Sequence, residues 1–350
     1  MITTLGEDDQ TVITAEKILI AAGARPRIPN IKGLEGTGYL TSDEALRLKK
    51  QPHTLTIIGG GYIACELAHF FGALGTKINI IQRNKALIPN EDKEISQKFT
   101  EIFSKKYNIY LDCETEYVSR ENDTNNSNKF HVEAKERASG KSIELVSDQL
   151  LIAAGRIPNS DTLDLEKTGV CVGEKGYIKT DGYLETDVNG IFALGDIIGR
   201  YLFKHNANHE AQYASNNILH PDKKIPVNYA AMPHAIFSSP QVAGVGFTEQ
   251  ELKKEGIEYQ KSVYPYINTG MGHALEDREG FVKFLADKIK GKILGCHIIG
   301  TDASILIHEV LIAMRAGDDG GNIGDITKTV HIHPALSEVV ARAAAGICRK

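Results

Sequence analysis

The chain has 350 residues, of which 42% are hydrophobic and 24% charged, and its formal net charge is −5. At about 150 residues per domain, this length predicts two or three domains, and the ordinary composition predicts a globular fold with a sizeable core. The mixed, mildly acidic charge argues against a nucleic-acid-binding or membrane-surface protein. No apolar run approaches the roughly 18 residues of a transmembrane helix, and the first ten residues lack a signal pattern, so the expected location is cytoplasmic.

The first half of the chain predicts alternating strands and helices, from apolar runs, helical spacing and Gly or Pro breaks. In chain order we expect a strand at 18–22, a short capped helix at 42–46, a strand at 54–58, a helix at 62–72, a strand at 76–81 and a helix at 95–107. The strand at 54–58, the helix at 62–72 and the strand at 76–81 have the length of a βαβ unit.

The second half predicts further strands and an α+β unit of its own. Strands are expected at 109–118, 129–135 and 142–153, with a polar, asparagine-rich hairpin tip at 121–128. The segment 177–197 is expected to be rich in strand. Beyond Pro226, we expect strands at 260–266, 280–286 and 293–299, then helices at 303–316 and 335–345.

The five cysteines are scattered along the chain: Cys65, Cys113, Cys171, Cys296 and Cys348. Their spacing contains no CxxC pair and no zinc-knuckle pattern. An odd number of dispersed cysteines indicates a reduced, cytoplasmic protein.

A glycine-rich turn joins the first strand and the helix of the βαβ unit, with the pattern Gly59-x-Gly61-x-x-Ala64. In a dinucleotide site, the first glycine makes the tight turn and the second lets the backbone approach a pyrophosphate. The small third residue lets the helix and strand pack closely, and the helix N-terminus offers N–H groups to the phosphates. The turn therefore predicts a dinucleotide site; the alternative is a purely structural glycine turn.

The end of the second strand bears on which dinucleotide binds. An acid here would bind the adenosine ribose of NAD, but the chain has Gln82 followed by Arg83. An arginine attracts the 2′-phosphate of NADP(H), which an acid would repel. NADP(H) is therefore favoured over NAD(H), and Lys85 is a second candidate for the phosphate. The alternative is that Arg83 is only a solvated loop charge.

Two histidines and a glutamate near the C-terminus form the other polar constellation: His331, His333 and Glu338. A histidine oriented by a carboxylate suits general-base chemistry. A metal site would need a further ligand that the local sequence does not offer, so no metal is predicted. The remaining alternative is a polar loop that enters the last helix.

Four motifs occur in order along the chain: GGGYIACE at 59–66, AAGRIPN at 153–159, ALGD at 193–196 and HIHPALSE at 331–338. With them, the chain resembles the class I flavoprotein pyridine nucleotide–disulphide oxidoreductases, the family of dihydrolipoamide dehydrogenase and the glutathione, mycothione and mercuric reductases. The resemblance spans essentially the whole chain. It implies an α/β fold with a Rossmann-like NAD(P) domain and β-meander (41–152), a partial FAD domain (1–40 and 153–225) and an α+β dimerisation domain (226–350).

The resemblance also implies roles for single residues. Gly59, Gly61 and Ala64 would hold the NAD(P) pyrophosphate. Tyr62 would cover the flavin where the nicotinamide docks and Glu66 would lie beside the nicotinamide, unless both simply occupy the first turns of the helix. The implied cofactor-binding set is Gly59, Gly61, Tyr62, Ala64, Glu66, Gln82, Arg83, Gly155, Asp196, Lys204 and His205.

On the flavin side, the resemblance implies that Asp196 accepts a hydrogen bond from the ribityl chain of FAD, unless it only stabilises a turn. A helix beginning near Lys204 and His205 would point its N-terminus at the flavin. His333, oriented by Glu338, would activate a substrate thiol at the flavin site of the partner subunit, so a homodimer is implied.

An apolar stripe in the dimerisation domain fits such an interface, but it equally fits an intradomain core. Its members are Ile305, Ile307, Val310, Leu311 and Met314.

The family begins with an FAD-binding GxGxxG unit and a helix that carries a CxxxxC redox pair, and the sequence contains neither. The expectation is a chain that lacks the first half of its FAD domain, as a truncated gene model, a split gene or an expression fragment. FAD binding would then be impaired, the lysine that pairs with Glu66 in the family would be missing, and the chain alone would show no disulfide reductase activity.

The leading hypothesis is an oxidoreductase that passes hydride from NAD(P)H to FAD, then to a cysteine pair and a small disulfide substrate, or in reverse from a dihydrolipoyl thiol. Whether this chain is itself an enzyme stays open, because the redox disulfide is missing. The alternative is a non-catalytic module that binds NAD(P) and dimerises.

Overall fold

The structure, a computed structural model, describes residues 2–5, 10–122, 128–317 and 320–347. Residues 123–127 of the expected hairpin tip and Cys348 lie outside the described residues. The chain divides into two compact units: Met1–Pro26 with Arg156–Tyr229 (unit 1), and Arg27–Gly155 with Ala230–Lys350 (unit 2). In the described part of the chain, no helix combines the length and apolar character needed to cross a membrane.

Strands and helices follow each other along the chain, which confirms the α/β class. The described strands are β1 (Ile2–Leu5), β2 (Gln10–Ile13), β3 (Ile18–Ile20), β4 (Ala24–Pro26), β5 (Thr54–Ile58), β6 (Lys77–Ile81), β7 (Asn108–Tyr110), β8 (Cys113–Asn122), β9 (Asn128–Glu136), β10 (Ser142–Ser147), β11 (Gln149–Ile152), β12 (Arg156–Pro158), β13 (Ile191–Ala193), β14 (Pro233–Ile236), β15 (Gln241–Gly246), β16 (Tyr259–Pro265), β17 (Phe281–Asp287) and β18 (Ile293–Gly300). The described α-helices are α1 (Ser42–Ala45), α2 (Tyr62–Ala73), α3 (Lys93–Lys106), α4 (Lys204–Leu219), α5 (Glu249–Glu255), α6 (Gly270–Ala274), α7 (Ala303–Met314), α8 (Ile323–Thr327) and α9 (Ser337–Ile347).

The predicted βαβ unit is confirmed as β5, α2 and β6. In unit 2 these strands lie in a parallel sheet of order β11–β5–β6–β7. One face of the sheet packs on α2 and α3, and the other packs on the antiparallel sheet β10–β9–β8. Both faces are covered, so four of the five residues in each of β5 and β6 are buried.

Two segments that were each predicted as one strand are instead divided between two sheets. The segment 109–118 forms β7 and β8, and the break falls at Asp112, whose φ of 53° lies outside the strand region. The segment 142–153 forms β10 and β11. Between them, the Asp148 carboxylate accepts hydrogen bonds from the backbone N and Oγ1 of Thr54, at 2.8 and 3.0 Å. Both single-strand predictions were wrong, because the apolar pattern continues past the breaks between β7 and β8 and between β10 and β11.

The C-terminal part of unit 2 is an antiparallel sheet of order β14–β15–β18–β17–β16. The sequence predicted its last three strands but missed β14 and β15, which are short and interrupted by Pro and Gly. Helices α7 and α9 pack on one face. The opposite face carries a row of residues in register across four strands: His234, Gly244, His297 and Lys283.

The apolar stripe on α7 is divided between core and surface. Ile307 and Val310 are buried in the core of the C-terminal sheet, whereas Ile305 is 66% exposed. The middle of the stripe therefore belongs to the core of its own domain, which was one of the two alternatives, and Ile305 lies at the surface.

Unit 1 contains the parallel pair β3–β13, the antiparallel pair β4–β12 and helix α4. The helix expected near Lys204 is confirmed as α4. The prediction that segment 177–197 is rich in strand was wrong for most of its length. Among the described residues, this segment forms β13 and isolated bridges such as Glu185–Phe192. Its apolar residues pack in small core clusters without forming long strands.

Candidate functional site: a cleft at the glycine turn and three histidine–glutamate pairs

The glycine turn after β5 has the backbone geometry that its sequence predicts. Gly59 has a φ of +121°, and a Cβ there would lie 2.2 Å from the carbonyl oxygen of Ala153. A Cβ on Gly61 would meet nothing within 4 Å in the described structure. Gly61 is also the N-cap of α2, and no side-chain cap hydrogen bond is present there among the described residues. Ala64 is fully buried, as close packing of helix and strand requires.

A cleft of about 460 Å³ opens at this turn. Five of the predicted cofactor residues line it: Gly59, Gly61, Gln82, Arg83 and Gly155. The cleft thus brings together the glycine turn, the end of β6 and the AAG segment that follows β11. The other predicted residues of unit 2, Tyr62, Ala64 and Glu66, lie outside its lining on α2.

The two residues at the end of β6 have different environments. Gln82 is buried, its backbone N donates to the Tyr110 oxygen at 2.8 Å, and its side chain lies against Gly60. Arg83 is exposed at the edge of the cleft, whereas Lys85 is not part of the lining. Glu114 on β8 also lines the cleft. The sequence did not single it out, because its strand was predicted with the wrong boundaries.

Tyr62, at the first position of α2, takes part in a buried cluster. Its hydroxyl donates to Oε1 of Glu91, and its ring stacks on His234 with centroids 6.1 Å apart. Nε2 of His234 lies 2.8 Å from Oε2 of Glu91. Burial alone would raise the pKa of Glu91, but His234 and Tyr62 outweigh it and hold the pKa below its usual value. The sequence analysis missed both Glu91 and His234.

Glu66, one turn further along α2, faces the end of β14. Its Oε1 accepts a hydrogen bond from the backbone N of Phe237 at 2.9 Å, and burial raises the pKa of its carboxyl group. Tyr62 and Glu66 thus share one face of α2, as their four-residue spacing requires.

In unit 1, the predicted flavin residues lie around α4 and β12. Asp196 is half-buried, burial raises its pKa, and its Oδ2 lies 3.6 Å from Nε of Arg156. Among the described residues, this Nε has no hydrogen-bond partner. Lys204 and His205 form the first turn of α4, where no described side chain caps the helix.

His331 and His333 each lie close to a glutamate, but His331 is mostly buried whereas His333 is exposed. Nδ1 of His333 lies 3.0 Å from Oε2 of Glu338, and the His333 side chain is 74% exposed. The hydrogen bond from His333 lowers the pKa of Glu338. Nε2 of His331 lies 3.1 Å from Oε2 of Glu309, and its side chain is only 11% exposed. No group of three or more ligating side chains suited to a metal ion occurs among the described residues.

Comparison with known proteins identifies the family. Residues 2–211 match the pyridine nucleotide-disulphide oxidoreductase family, and residues 232–344 match the dimerisation domain of the same family. The chain belongs to the pyridine nucleotide–disulphide oxidoreductase family. The resemblance drawn from the four motifs is therefore confirmed.

Several members of the family are similar to this chain over nearly its full length. Mycothione reductase of Mycobacterium tuberculosis is 36% identical over 355 residues, a match that covers 99% of this chain and 72% of that protein. Dihydrolipoyl dehydrogenase of Vibrio cholerae is 35% identical over 340 residues, covering 97% and 69%. Among solved structures, the Cu(II) complex of the HOCl-induced flavoprotein disulfide reductase RclA from Escherichia coli has a TM-score of 0.86 at 27% identity, covering 98% of this chain and 75% of that one.

Members of the family use a pyridine nucleotide and a flavin, and the residues present fit both groups. For the nucleotide, the open space at Gly61 lets a pyrophosphate approach the N-terminus of α2. For the flavin, Nε of Arg156 is a buried donor that no described residue satisfies, and the first turn of α4 is uncapped.

Proposed function

We propose that the chain binds NADP(H) and serves an FAD-dependent NADPH–disulfide oxidoreductase reaction. The observation that carries this proposal is the cleft at the start of α2, where the unobstructed Gly61 and the N-terminus of the helix lie beside an exposed arginine. Helix donors favour a pyrophosphate, and Arg83 favours a 2′-phosphate over a free ribose hydroxyl. Gln82 carries no charge that would repel the phosphate.

The remaining roles follow the family pattern. Tyr62 and Glu66 would meet the nicotinamide half of the nucleotide, Asp196 would bind the ribityl chain of FAD, and the first turn of α4, at Lys204 and His205, would face the flavin. When bound, the nucleotide and the flavin supply the hydride-transfer chemistry. The chain's own contribution is to bind and orient them.

His333 is proposed as the base that takes a proton from a substrate thiol. Its exposure leaves the ring accessible, and the bond between Nδ1 and Glu338 fixes which nitrogen faces outward. In the family pattern this histidine serves the flavin site of a partner subunit. We therefore propose a homodimer formed through the 226–350 domain, beside an NAD(P) domain at 41–152 and FAD-domain segments at 1–40 and 153–225.

The substrate class we propose is a small disulfide, or a lipoyl-type dithiol in the reverse direction. We further propose that these 350 residues by themselves bind FAD weakly and do not turn over a disulfide. The four described cysteines are all free thiols, and three of them, Cys65, Cys113 and Cys296, are buried. The cytoplasmic location stays a prediction.

Calorimetric titration of the purified chain with NADPH and NADH, beside a flavin absorbance scan, tests the proposal. We expect NADPH to bind more tightly than NADH, with substoichiometric flavin and no NADPH-dependent disulfide reduction. Stoichiometric flavin with turnover would contradict the proposed inactivity of the isolated chain. Nucleotide binding with no flavin, even after reconstitution with excess FAD, would favour the non-catalytic module, and no binding of either nucleotide would overturn the proposal.

A further inference from the structure

The side chains around Tyr62 come from three separate parts of unit 2. Tyr62 begins α2, Glu91 precedes α3, and His234 lies on β14. Glu91 is 1% exposed, and each of its oxygens has its own partner, the Tyr62 hydroxyl on Oε1 and Nε2 of His234 on Oε2. Since burying a carboxylate is costly unless it is paired, this arrangement stabilises one position of both rings.

The protonation states within the cluster are fixed by its surroundings. Burial, reinforced by the nearby Glu91 carboxylate, raises the pKa of the Tyr62 phenol, so the hydroxyl keeps its proton and donates it in the hydrogen bond. Glu91 stays ionised because its pKa lies below the usual range despite burial. The bond between Tyr62 and Glu91 is therefore charge-assisted, and it is about twice as strong as a neutral one.

The sheet is shaped to hold His234 in this place. Gly244 is the register partner of His234 on β15, and a Cβ there would lie 2.7 Å from Nε2 of His234. On the other side of Gly244, His297 is fully buried, and its Nε2 donates to the Phe247 oxygen at 2.9 Å. The absence of a side chain at residue 244 thus creates the space in which the His234 ring reaches both Glu91 and Tyr62.

We propose that Glu91 and His234 are positioning residues that fix the Tyr62 ring in the orientation required for the nicotinamide half of the nucleotide. This inference rests on the proposed function, which places Tyr62 at that half. Neither residue belongs to the predicted cofactor set, and neither lines the cleft at Gly61. They act through Tyr62 and affect only the part of the nucleotide that Tyr62 meets.

The expected loss of NADPH affinity depends on the fraction of molecules in which the Tyr62 ring occupies the position required for binding. When a ligand binds one side-chain arrangement, its apparent dissociation constant rises in inverse proportion to the population of that arrangement. Removing the hydrogen bond to Glu91 lets the ring leave its position, and we expect a loss of about three- to tenfold in NADPH affinity, the range that one hydrogen bond supplies.

The test compares NADPH with 2′-phospho-ADP-ribose, which is NADP without its nicotinamide. Tyr62→Phe removes a single hydroxyl, and Glu91→Gln removes the charge while keeping the shape. Both variants should weaken NADPH binding by about three- to tenfold and leave the affinity for 2′-phospho-ADP-ribose unchanged in titration calorimetry. Tyr259→Phe is the matched control, since it removes another tyrosine–glutamate hydrogen bond of unit 2, to Glu249, and should change neither affinity.

Each result supports or overturns the inference. An equal loss for both ligands in Tyr62→Phe would show a merely structural role, and unchanged NADPH binding would show that the ring position does not matter; either overturns it. Tyr62→Phe decides the question even where Glu91→Gln fails to fold, because it removes only one atom. A wild-type chain that binds neither ligand would overturn the proposed function as well, whereas normal wild-type binding without the selective loss overturns only this inference.

Discussion

Two charged regions of unit 2 differ in how their polar groups are satisfied. In the lysine cluster, formed by Asp92, Glu94, Glu249, Lys261 and Lys283, the chain supplies every partner. Lys283 is fully buried and lies 2.8 Å from Asp92 and 2.6 Å from Glu249. In the cleft at Gly61, by contrast, the space beside the glycine turn is unobstructed, and Arg83 is exposed. A region whose polar groups pair with one another supports the fold, whereas an unobstructed turn beside an exposed cation is accessible to a ligand.

The lysine cluster also joins two parts of the sequence that lie far apart. Asp92 is the N-cap of α3, and Lys283 and Glu249 belong to the C-terminal part of the unit. Oδ2 of Asp92 also accepts from the backbone N of Glu249 at 2.9 Å. The contacts between the βαβ region and the C-terminal sheet therefore include a buried ionic link, and not only apolar packing.

The largest effect should come from removing the buried cation. Lys283→Met would leave Asp92 and Glu249 buried without their shared partner, and we expect a loss of about 3–5 kcal/mol in the free energy of unfolding. The matched control is Lys261→Met on the neighbouring strand. Lys261 pairs with Glu94 and Glu249 but is 36% exposed, so its removal should cost about 1 kcal/mol or less. Urea unfolding measures both, and equal losses would contradict the distinction between buried and exposed pairs.

Substitutions at two glycines of the cleft distinguish an effect on stability from an effect on ligand binding. Gly59→Ala places a Cβ 2.2 Å from the Ala153 oxygen at a φ of +121°, and should cost about 3 kcal/mol of stability. Gly61→Ala meets open space at a φ of −85°, so stability should change by less than about 1 kcal/mol.

The effect of Gly61→Ala should appear in binding, because its methyl group would occupy the approach of the pyrophosphate. We expect NADPH affinity to fall at least tenfold in calorimetry while the melting temperature stays near that of the wild type. A Gly61→Ala chain that binds NADPH normally would show that the pyrophosphate does not lie at this turn.

These two regions were not equally predictable from the sequence. The glycine turn follows from local pattern, because Gly59, Gly61 and Ala64 sit between a strand and a helix whose periods are visible. The lysine cluster depends on Asp92 meeting Lys283 across 191 positions, and no local period encodes such a pairing. His234 was missed for a related reason: it lies on β14, whose Pro and short length hid the strand. The sequence therefore predicted the glycine turn, but not the distant side chains that meet in the lysine cluster and around Tyr62.

Acid should weaken the lysine cluster. Burial alone would raise the pKa of Glu249, but hydrogen bonds from Lys253, Lys283 and Tyr259 outweigh it and hold that pKa well below the usual range. The pKa of Asp92 is lowered too, by His297 and Lys283 against the effect of burial. A carboxylate with a depressed pKa stabilises the fold above its unfolded pKa, and that stability is lost as the pH falls through the folded value.

We therefore expect the free energy of unfolding to fall by about 2 kcal/mol as the pH drops below about 4.5. The measurement is urea unfolding as a function of pH. Glu249→Gln should be less stable at neutral pH and lose less on acidification, since part of the titrating contribution is already gone. An unchanged pH slope in that variant would show that other carboxylates carry the acid sensitivity.

The smallest effect should come from the exposed end of the cleft. Arg83 is solvated, so its attraction for a 2′-phosphate is screened, and Arg83→Gln should raise the dissociation constant of NADPH by about fivefold. NADH lacks that phosphate, and its affinity should stay the same. Lys85→Gln is the matched control, because Lys85 carries the same charge two residues away and lies outside the cleft lining. If Lys85→Gln weakened NADPH as much as Arg83→Gln, the preference would reflect the general charge of the loop. A loss confined to Arg83→Gln would instead place the phosphate at the edge of the cleft, beside an exposed arginine that forms no salt bridge with the described residues.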